Sequence, residues 1–326
     1  MQLDLVVARF LLSLLAKTFY CSVGCSLKAF MKLNSEFVNG PVRSAASVIM
    51  LRNSSETTHG SRLEVFLLKR HDLSNVLGGV FVFPGGKLDP QDAQLDMAAH
   101  LDQSPAVLHI TLNEPDIDPL TAAGLYVAAV REVFEESGVL FAQGATAEHA
   151  AQATALACEG VPFAKVLNQL QLRLHTGCLM PWSRWITPTL PSVSNKRFDT
   201  RFFVAAVPPG QTAVHDNVEA TDSIWLTPRR AREQYRDGLI MLAPPQIMTL
   251  AHLARYSDMQ QVVDAARSCM PPVIRPEPFE HEGHRVLCYP GDERHSVKER
   301  AMPGPTRLWF RSKKFEPPEG FEALFR

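Results

Sequence analysis

Arg131-Glu132-Val133-Phe134-Glu135-Glu136-Ser137-Gly138-Val139 closes the best helical pattern in the chain. The pattern predicts a helix over 122–137, with Gly138 where a left-handed C-terminal cap wants no Cβ. At about 100° per residue, Glu132, Glu135 and Glu136 fall within one third of the circumference, and Val127, Val130 and Phe134 lie opposite. One face packs and the other gathers three carboxylates. Glu132 and Glu136 repel each other by a few tenths of a kcal/mol, and a hard cation is the usual offset. The plain alternative is a solvated acidic face on which Arg131 pairs with Glu135 four residues on. On these residues alone the two readings stand level.

The segment before the helix separates them. Phe83-Pro84-Gly85-Gly86 ends a short β run, since proline cannot donate to a ladder and glycine admits unusual φ. Glycines also let a backbone approach a phosphate or offer a carbonyl to a metal. Gly86 combined with Arg131, Glu132, Glu135, Glu136 and Gly138 gives each residue type its own physical task, which a solvated face does not require.

Around this centre, strands are expected at 42–51, 63–70, 80–83, 180–187, 201–207 and 223–226. Helices are expected at 145–157, 163–174, 229–237, 245–256 and 259–268. Asn53 to Arg62 reads as a polar loop. Residues 87–125 hold no aromatic side chain, and 93–123 carries acids without bases. That stretch reads as a peripheral surface excursion with one short helix near 93–101. A proline-rich connector at 270–278 leads to a short β-like tail. Strands and helices interleave without a regular βαβ beat, so the fold class is mixed α/β (α+β), neither Rossmann sheet nor TIM barrel.

Composition excludes several classes. Lys+Arg of 33 against Asp+Glu of 34 gives a net charge of -1, without the basic excess of a general nucleic-acid binder. Six cysteines in 326 residues form no CxxC pair, which argues against a zinc ribbon or a disulfide scaffold. The mean hydropathy is -0.05, and the apolar N-terminal run is broken by Asp4, Arg9 and Lys17, so no stable membrane insertion is expected. Residues 1–38 are read as an extension outside the working domain, 39–257 as the domain with its insertion at about 93–123, and 258–326 as a helical and irregular C-terminal extension.

The run Arg131 to Val139, preceded by Gly86, resembles the Nudix hydrolase superfamily, whose signature is G-x5-E-x7-R-E-U-x-E-E-x-G-U. Its second half matches at every specified position. In the first half, Asp92 stands where the signature has Glu, and residues 93–130 replace its x7, so the box resembles one split by an insertion. Leu67-Leu68-Lys69-Arg70-His71, Gly79 and Phe83–Gly86 are similar in spacing to the upstream element of coenzyme A diphosphatases. Asn75 replaces that element's second arginine, and His71 its serine.

The resemblance implies an α/β/α sandwich around a mixed sheet and a Mg²⁺- or Mn²⁺-dependent diphosphatase. Its substrate would be a nucleoside diphosphate derivative, with coenzyme A or acyl-coenzyme A preferred. Glu132, Glu135, Glu136 and the Gly86 carbonyl would be metal ligands, and Glu132, Arg131 and Glu219 catalytic. Glu219 is chosen from the acids of the 215–225 loop, Asp216 and Asp222 being the others. Arg70, Gly85 and Gly86 would bind substrate. A cytoplasmic protein acting alone or as a homodimer, without nucleic acid, is the matching expectation. The alternatives are another diphosphate, such as a nucleotide sugar or dinucleotide, and a non-catalytic binding or regulatory module. Trp182 and Trp185 read as core rather than base-stacking residues. Arg229, Arg230 and Arg232 read as a solvated helix start, and His281 and His284 as surface polarity.

Overall fold

The computed structural model describes residues 33–34, 36–74, 77–190 and 196–325. The readings of residues 1–30 and of Asn75 lie outside them. Residues 31–326 form one compact unit.

The first strand, β1 (Arg43–Thr58), is long because its two halves have different partners. Its buried half pairs in parallel with β6 (Phe198–Ala206) and antiparallel with the short β4 (Gly85–Lys87), while its distal half turns back on β2 (Ser61–Arg70). The expected polar loop at 53–62 is therefore a hairpin. His59 and Gly60 both have positive φ, 52° and 79°, the geometry of a tight turn whose twist matches its strands. Its residues are polar because the ribbon stands in water on both faces.

After β3 (Phe81–Val82) and β4 (Gly85–Lys87) come helices α1 (Pro90–Ala93), α2 (Met97–His100), α3 (Pro105–Leu112) and α4 (Pro119–Ser137). Beyond α5 (Ala147–Cys158) and α6 (Phe163–Gln169) lie β5 (Met180–Ile186), β6 (Phe198–Ala206) and β7 (Ala220–Leu226). Then follow α7 (Pro228–Asp237), α8 (Pro244–Leu253) and α9 (Met259–Ser268). The mixed sheet runs β3-β2-β1-β6-β5-β8, with β8 (Val273–Ile274) on its edge, β4 also on β1 and β7 also on β2.

Alternation along β1 splits the core in two. Val48 and Met50 face α4, Tyr126 and Phe203, while Ile49 and Leu51 face Trp182, Ile247 and Leu250 on the other side. Tyr126 and Phe203 lie 4.7 Å apart in a tilted aromatic pair. This is the α/β/α sandwich expected. The C-terminal segment adds a separate antiparallel sheet to the helical extension: β9 (Glu277–His281), β10 (His284–Cys288), β11 (Arg307–Arg311) and β12 (Lys314–Glu316).

The insertion is not the peripheral excursion that its composition suggests. Leu95, Met97, Leu101, Leu108 and Leu112 are buried in the main core. Glu114 is buried and forked by the Arg201 guanidinium at 2.9 and 2.6 Å, with Arg184 Nη1 at 2.9 Å. This acid has its bases, but on distant strands, while Asp96 and Asp118 cap helices. Aliphatic side chains at helical spacing supply the apolar face that the missing aromatics had seemed to rule out.

Candidate active site

Strand β4 is made for close approach. Gly85 has φ of +153°, and a Cβ there would lie 2.4 Å from the Ala46 carbonyl oxygen of β1, so only glycine fits. At Gly86 the crowding comes from the acidic face of α4: a Cβ would lie 2.4 Å from the Glu132 carboxylate. The two glycines thus press the strand between β1 and the last turns of α4. Asp118 caps the start of α4, accepting from the backbone N–H groups of Leu120 and Thr121, and Gly138 ends it with φ of +70°.

Arg131 organises the acids. Its Nε and Nη2 donate to the two Asp92 carboxylate oxygens at 2.8 and 2.9 Å, and Nη1 donates to Glu132 and Glu135, each at 2.9 Å. Nη2 also reaches the Lys87 carbonyl at 3.2 Å. The plain reading of an Arg131–Glu135 pair is therefore true as well, within a larger fan. Asp92 is 3% exposed, and it also accepts the Asp89 N–H at 2.9 Å, boxing the start of α1. The two halves of the signature, parted in sequence by the insertion, meet here in space.

Glu136 faces the other way. Its Oε2 accepts the Gly85 N–H at 2.9 Å, and its Oε1 lies 3.7 Å from Arg70 Nη1. Arg70 Nη2 lies 3.6 Å from Glu219. Arg70 therefore sits between two acids of the site, and both it and Glu219 line the cleft. Asp216 accepts the N–H groups of Val218, Glu219 and Ala220, and Asp222 accepts that of Ser223. Those two acids shape the loop, while Glu219 is the one that reaches Arg70.

Crowding of like charges in a dry corner shifts these groups. Burial pushes Glu132 up to about 7 against the pull of Arg131, with Glu135 and Glu219 adding repulsion. Burial pushes Glu136 up to about 8 against the Gly85 N–H and Arg70. Glu135 is raised as well, by burial first. Hard oxygen donors gathered this closely have the chemistry that Mg²⁺ and Mn²⁺ prefer, so the donor set fits a divalent cation. Among the described residues no three His, Cys, Asp or Glu side chains form a ready metal cage. Arg131 holds oxygens of Glu132 and Glu135, and Glu136 is turned onto Gly85.

A cleft of about 440 Å³ opens beside these acids. Arg70, Gly85, Gly86, Glu132 and Glu219 line it, and so do Trp185, Phe198 and Gln246. Glu135 is exposed and not among its lining residues. Trp182 is core, as expected, 4.6 Å from the His252 ring. Trp185 is both core and cleft wall. Arg232 departs from the solvated reading: it is 4% exposed, with its guanidinium 4.6 Å from the Phe325 ring, and burial pushes its pKa down to about 10. His281 packs its ring 5.2 Å from Trp309. Sequence reasoning missed the clasp role of Asp92, whose acid type six positions after Gly86 was the available signal. It also missed Gln246, for which the sequence offered none.

Comparison with known proteins bears on this geometry directly. The NUDT19 Nudix domain family matches residues 113–253, which contain the whole of α4 and its acids. Over these residues the chain resembles a Nudix domain. Within the Nudix hydrolases it resembles the acyl-coenzyme A diphosphatase branch. It is 26% identical over 243 residues to acyl-coenzyme A diphosphatase NUDT19 of Xenopus laevis, covering 64% of each chain. With the Homo sapiens protein of that name identity is 28% over 277 residues, covering 71% of this chain and 74% of the relative. The match thus spans a little under two thirds of the Xenopus protein's length. A Nudix hydrolase crystal structure from Alicyclobacillus acidocaldarius superposes with a TM-score of 0.54 at 25% identity, covering 72% of this chain and 98% of that one. Nudix hydrolases generally use divalent metals. Among the described residues no helix is long and apolar enough to cross a membrane.

Proposed function

We propose that this Nudix hydrolase cleaves the diphosphate of coenzyme A or an acyl-coenzyme A, releasing 3′,5′-ADP and (acyl-)4′-phosphopantetheine. The observation that carries the reading is one cleft with two characters: the Glu132, Arg70 and Glu219 corner at β4, and an apolar reach bounded by Trp185 and Phe198. A diphosphate joined to a long neutral arm matches both, and the names of the relatives point the same way.

Glu132, Glu135, Glu136 and the Gly86 carbonyl would hold Mg²⁺ or Mn²⁺. Bound there, the cation supplies positive charge to the phosphoanhydride oxygens and promotes ionisation of water. The chain's own residues do the rest. Arg131 fixes the Glu132 and Glu135 carboxylates, so little reorganisation is needed when charge develops. Glu132, reaching into the cleft, accepts the proton of the attacking water, and Glu219 stands across from it. Arg70, between Glu136 and Glu219, offers a guanidinium to a diphosphate oxygen. Gly85 and Gly86, without side chains, let the β4 backbone come close to the substrate. A pure binding module would have no use for mutually repelling carboxylates kept in this order.

The test is a panel of coenzyme A, acyl-coenzyme A, a nucleotide sugar and a dinucleotide with Mg²⁺ or Mn²⁺, products separated by chromatography. Coenzyme A species should have the highest kcat/KM, and Glu136→Gln should lower kcat by at least about 10²-fold with the fold intact. A higher kcat/KM for the nucleotide sugar or dinucleotide removes the coenzyme A assignment. Near-normal kcat in Glu136→Gln removes the site.

A further inference from the structure

The peptide between Pro84 and Gly85 joins the sheet to the acidic helix. Its N–H, at Gly85, donates to Glu136 Oε2 at 2.9 Å. Among the described residues this is the one hydrogen bond to the Glu136 carboxylate, since Arg70 Nη1 stands off at 3.7 Å. The C=O of the same peptide, at Pro84, accepts twice from β1: from the Val48 N–H at 2.9 Å and from the Ser47 hydroxyl at 2.9 Å. The hydroxyl also lies 3.5 Å from the Phe83 carbonyl oxygen. A trans peptide keeps C=O and N–H on opposite edges of one plane. Whatever holds the carbonyl on β1 therefore also aims the N–H at α4.

Ser47 is an unusual residue for its place. It is 7% exposed, and the next two residues on the same face of β1, Ile49 and Leu51, are fully buried aliphatic side chains. Packing alone would be served by alanine or valine, and a buried hydroxyl is unfavourable unless it is bonded. The neighbouring strand gives it a purpose. Position 85 has no room for a Cβ, and glycine leaves the peptide before it free to turn about its flanking bonds. A second donor on the Pro84 oxygen opposes that turn. It also polarises the peptide, which strengthens the N–H as a donor by roughly 10–30%.

We propose that Ser47 is a positioning residue for the hydrolase: through the Pro84–Gly85 peptide its hydroxyl fixes the orientation of the Glu136 carboxylate. The proposal rests on the diphosphatase reading for its effect on turnover, whereas the state of the Gly85 N–H is read without substrate. The test compares the full chain with Ser47→Ala and Ser47→Thr. Three quantities are measured: kcat and KM with Mg²⁺ for whichever of coenzyme A and ADP-ribose is turned over faster, the urea midpoint, and the Gly85 amide proton resonance. That resonance is selected by labelling glycine with ¹⁵N and the proline carbonyl with ¹³C. Ser47→Ala should lower kcat about fivefold, the worth of one neutral hydrogen bond, and leave KM within about twofold. Its Gly85 amide proton should move upfield as the bond to Glu136 slackens. The urea midpoint should stay near that of wild type, because the Pro84 oxygen keeps the Val48 N–H and no polar atom is left unpaired. Ser47→Thr keeps the donor and should keep both kcat and the resonance. Near-normal kcat in Ser47→Ala, an unmoved Gly85 resonance, a loss confined to KM, or a midpoint that falls together with kcat overturns the proposal and leaves Ser47 a packing residue. So does a Ser47→Thr protein of wild-type midpoint that is as impaired as Ser47→Ala. If the resonance moves in Ser47→Ala but wild type hydrolyses neither compound, the positioning of Glu136 stands and the hydrolase reading fails.

Discussion

Adding one methyl group at Gly86 should stop the chemistry and spare the fold. An ideal Cβ there falls 2.4 Å from Cδ and Oε2 of Glu132 and 2.5 Å from its Oε1, where ordinary contact needs about 3.5 Å. The carboxylate must withdraw by about 1 Å, and a misplacement of that size in a reacting group costs about 10²-fold in rate. What moves is the free end of a flexible side chain, so little folding energy is at stake. Loss of glycine freedom in the unfolded chain even contributes about 0.4–1 kcal/mol in favour of the native state. Gly85→Ala makes the contrast. Its Cβ would meet the Ala46 carbonyl oxygen at 2.4 Å and Ser47 Cα at 2.5 Å, both backbone of β1, at a φ of +153°. Relief there means parting β4 from β1, at a cost of several kcal/mol. Urea midpoints and kcat for the best diphosphate substrate decide the matter. Gly86→Ala should keep the wild-type midpoint with kcat down about a hundredfold, and Gly85→Ala should lose the midpoint itself. A Gly86→Ala protein retaining half its kcat, or one as unstable as Gly85→Ala, would refute the reasoning.

Two further outcomes follow from buried charge. Asp92→Asn keeps the shape of its side chain but leaves Arg131 without its fork, so stability should fall by about 3 kcal/mol in a denaturant titration, with kcat reduced through Glu132 and Glu135; an unchanged midpoint would show the clasp to be ornamental. His252, packed against Trp182 and Tyr256, is lowered to about 4 by burial first and then by the charge of Arg255. Between pH 4 and 6.5 the unfolded state binds this proton and the native state does not, so stability is full above 6.5 and falls as pH drops towards 4. The loss is on the order of 3 kcal/mol, and His252→Phe should flatten that part of the stability–pH curve; a curve of unchanged slope would exclude His252 as the group responsible.

How much of this was legible depends on how local each cause is. Helix α4 was readable because amphipathic spacing and the Gly138 cap are written within one element. The β1–β2 hairpin was not, since residues 53–58 extend only because their partner strand returns beside them. Leu108 and Leu112 looked like surface because nothing nearby in sequence is aromatic, yet they lie in the main core, on a helix packed against α4. Choosing Glu219 over Asp216 and Asp222 was open to chance, because all three are acids in one loop and only the backbone decides which of them is spent on turns. The Asp92–Arg131 clasp spans 39 residues, and the Glu114–Arg201 pair spans 87, distances over which no periodicity can speak.

That clasp turns the insertion into a ring with a neck. Arg131 and Asp92 stand at the two sides of the neck, and the residues between them leave and return without altering where the acids point. Closing a longer ring costs only about 0.6 kcal/mol for each doubling of its length. The circumference can therefore be lengthened, shortened or rewritten at little expense to the chemistry, provided that Leu95, Leu101, Leu108 and Leu112 still moor it to the body.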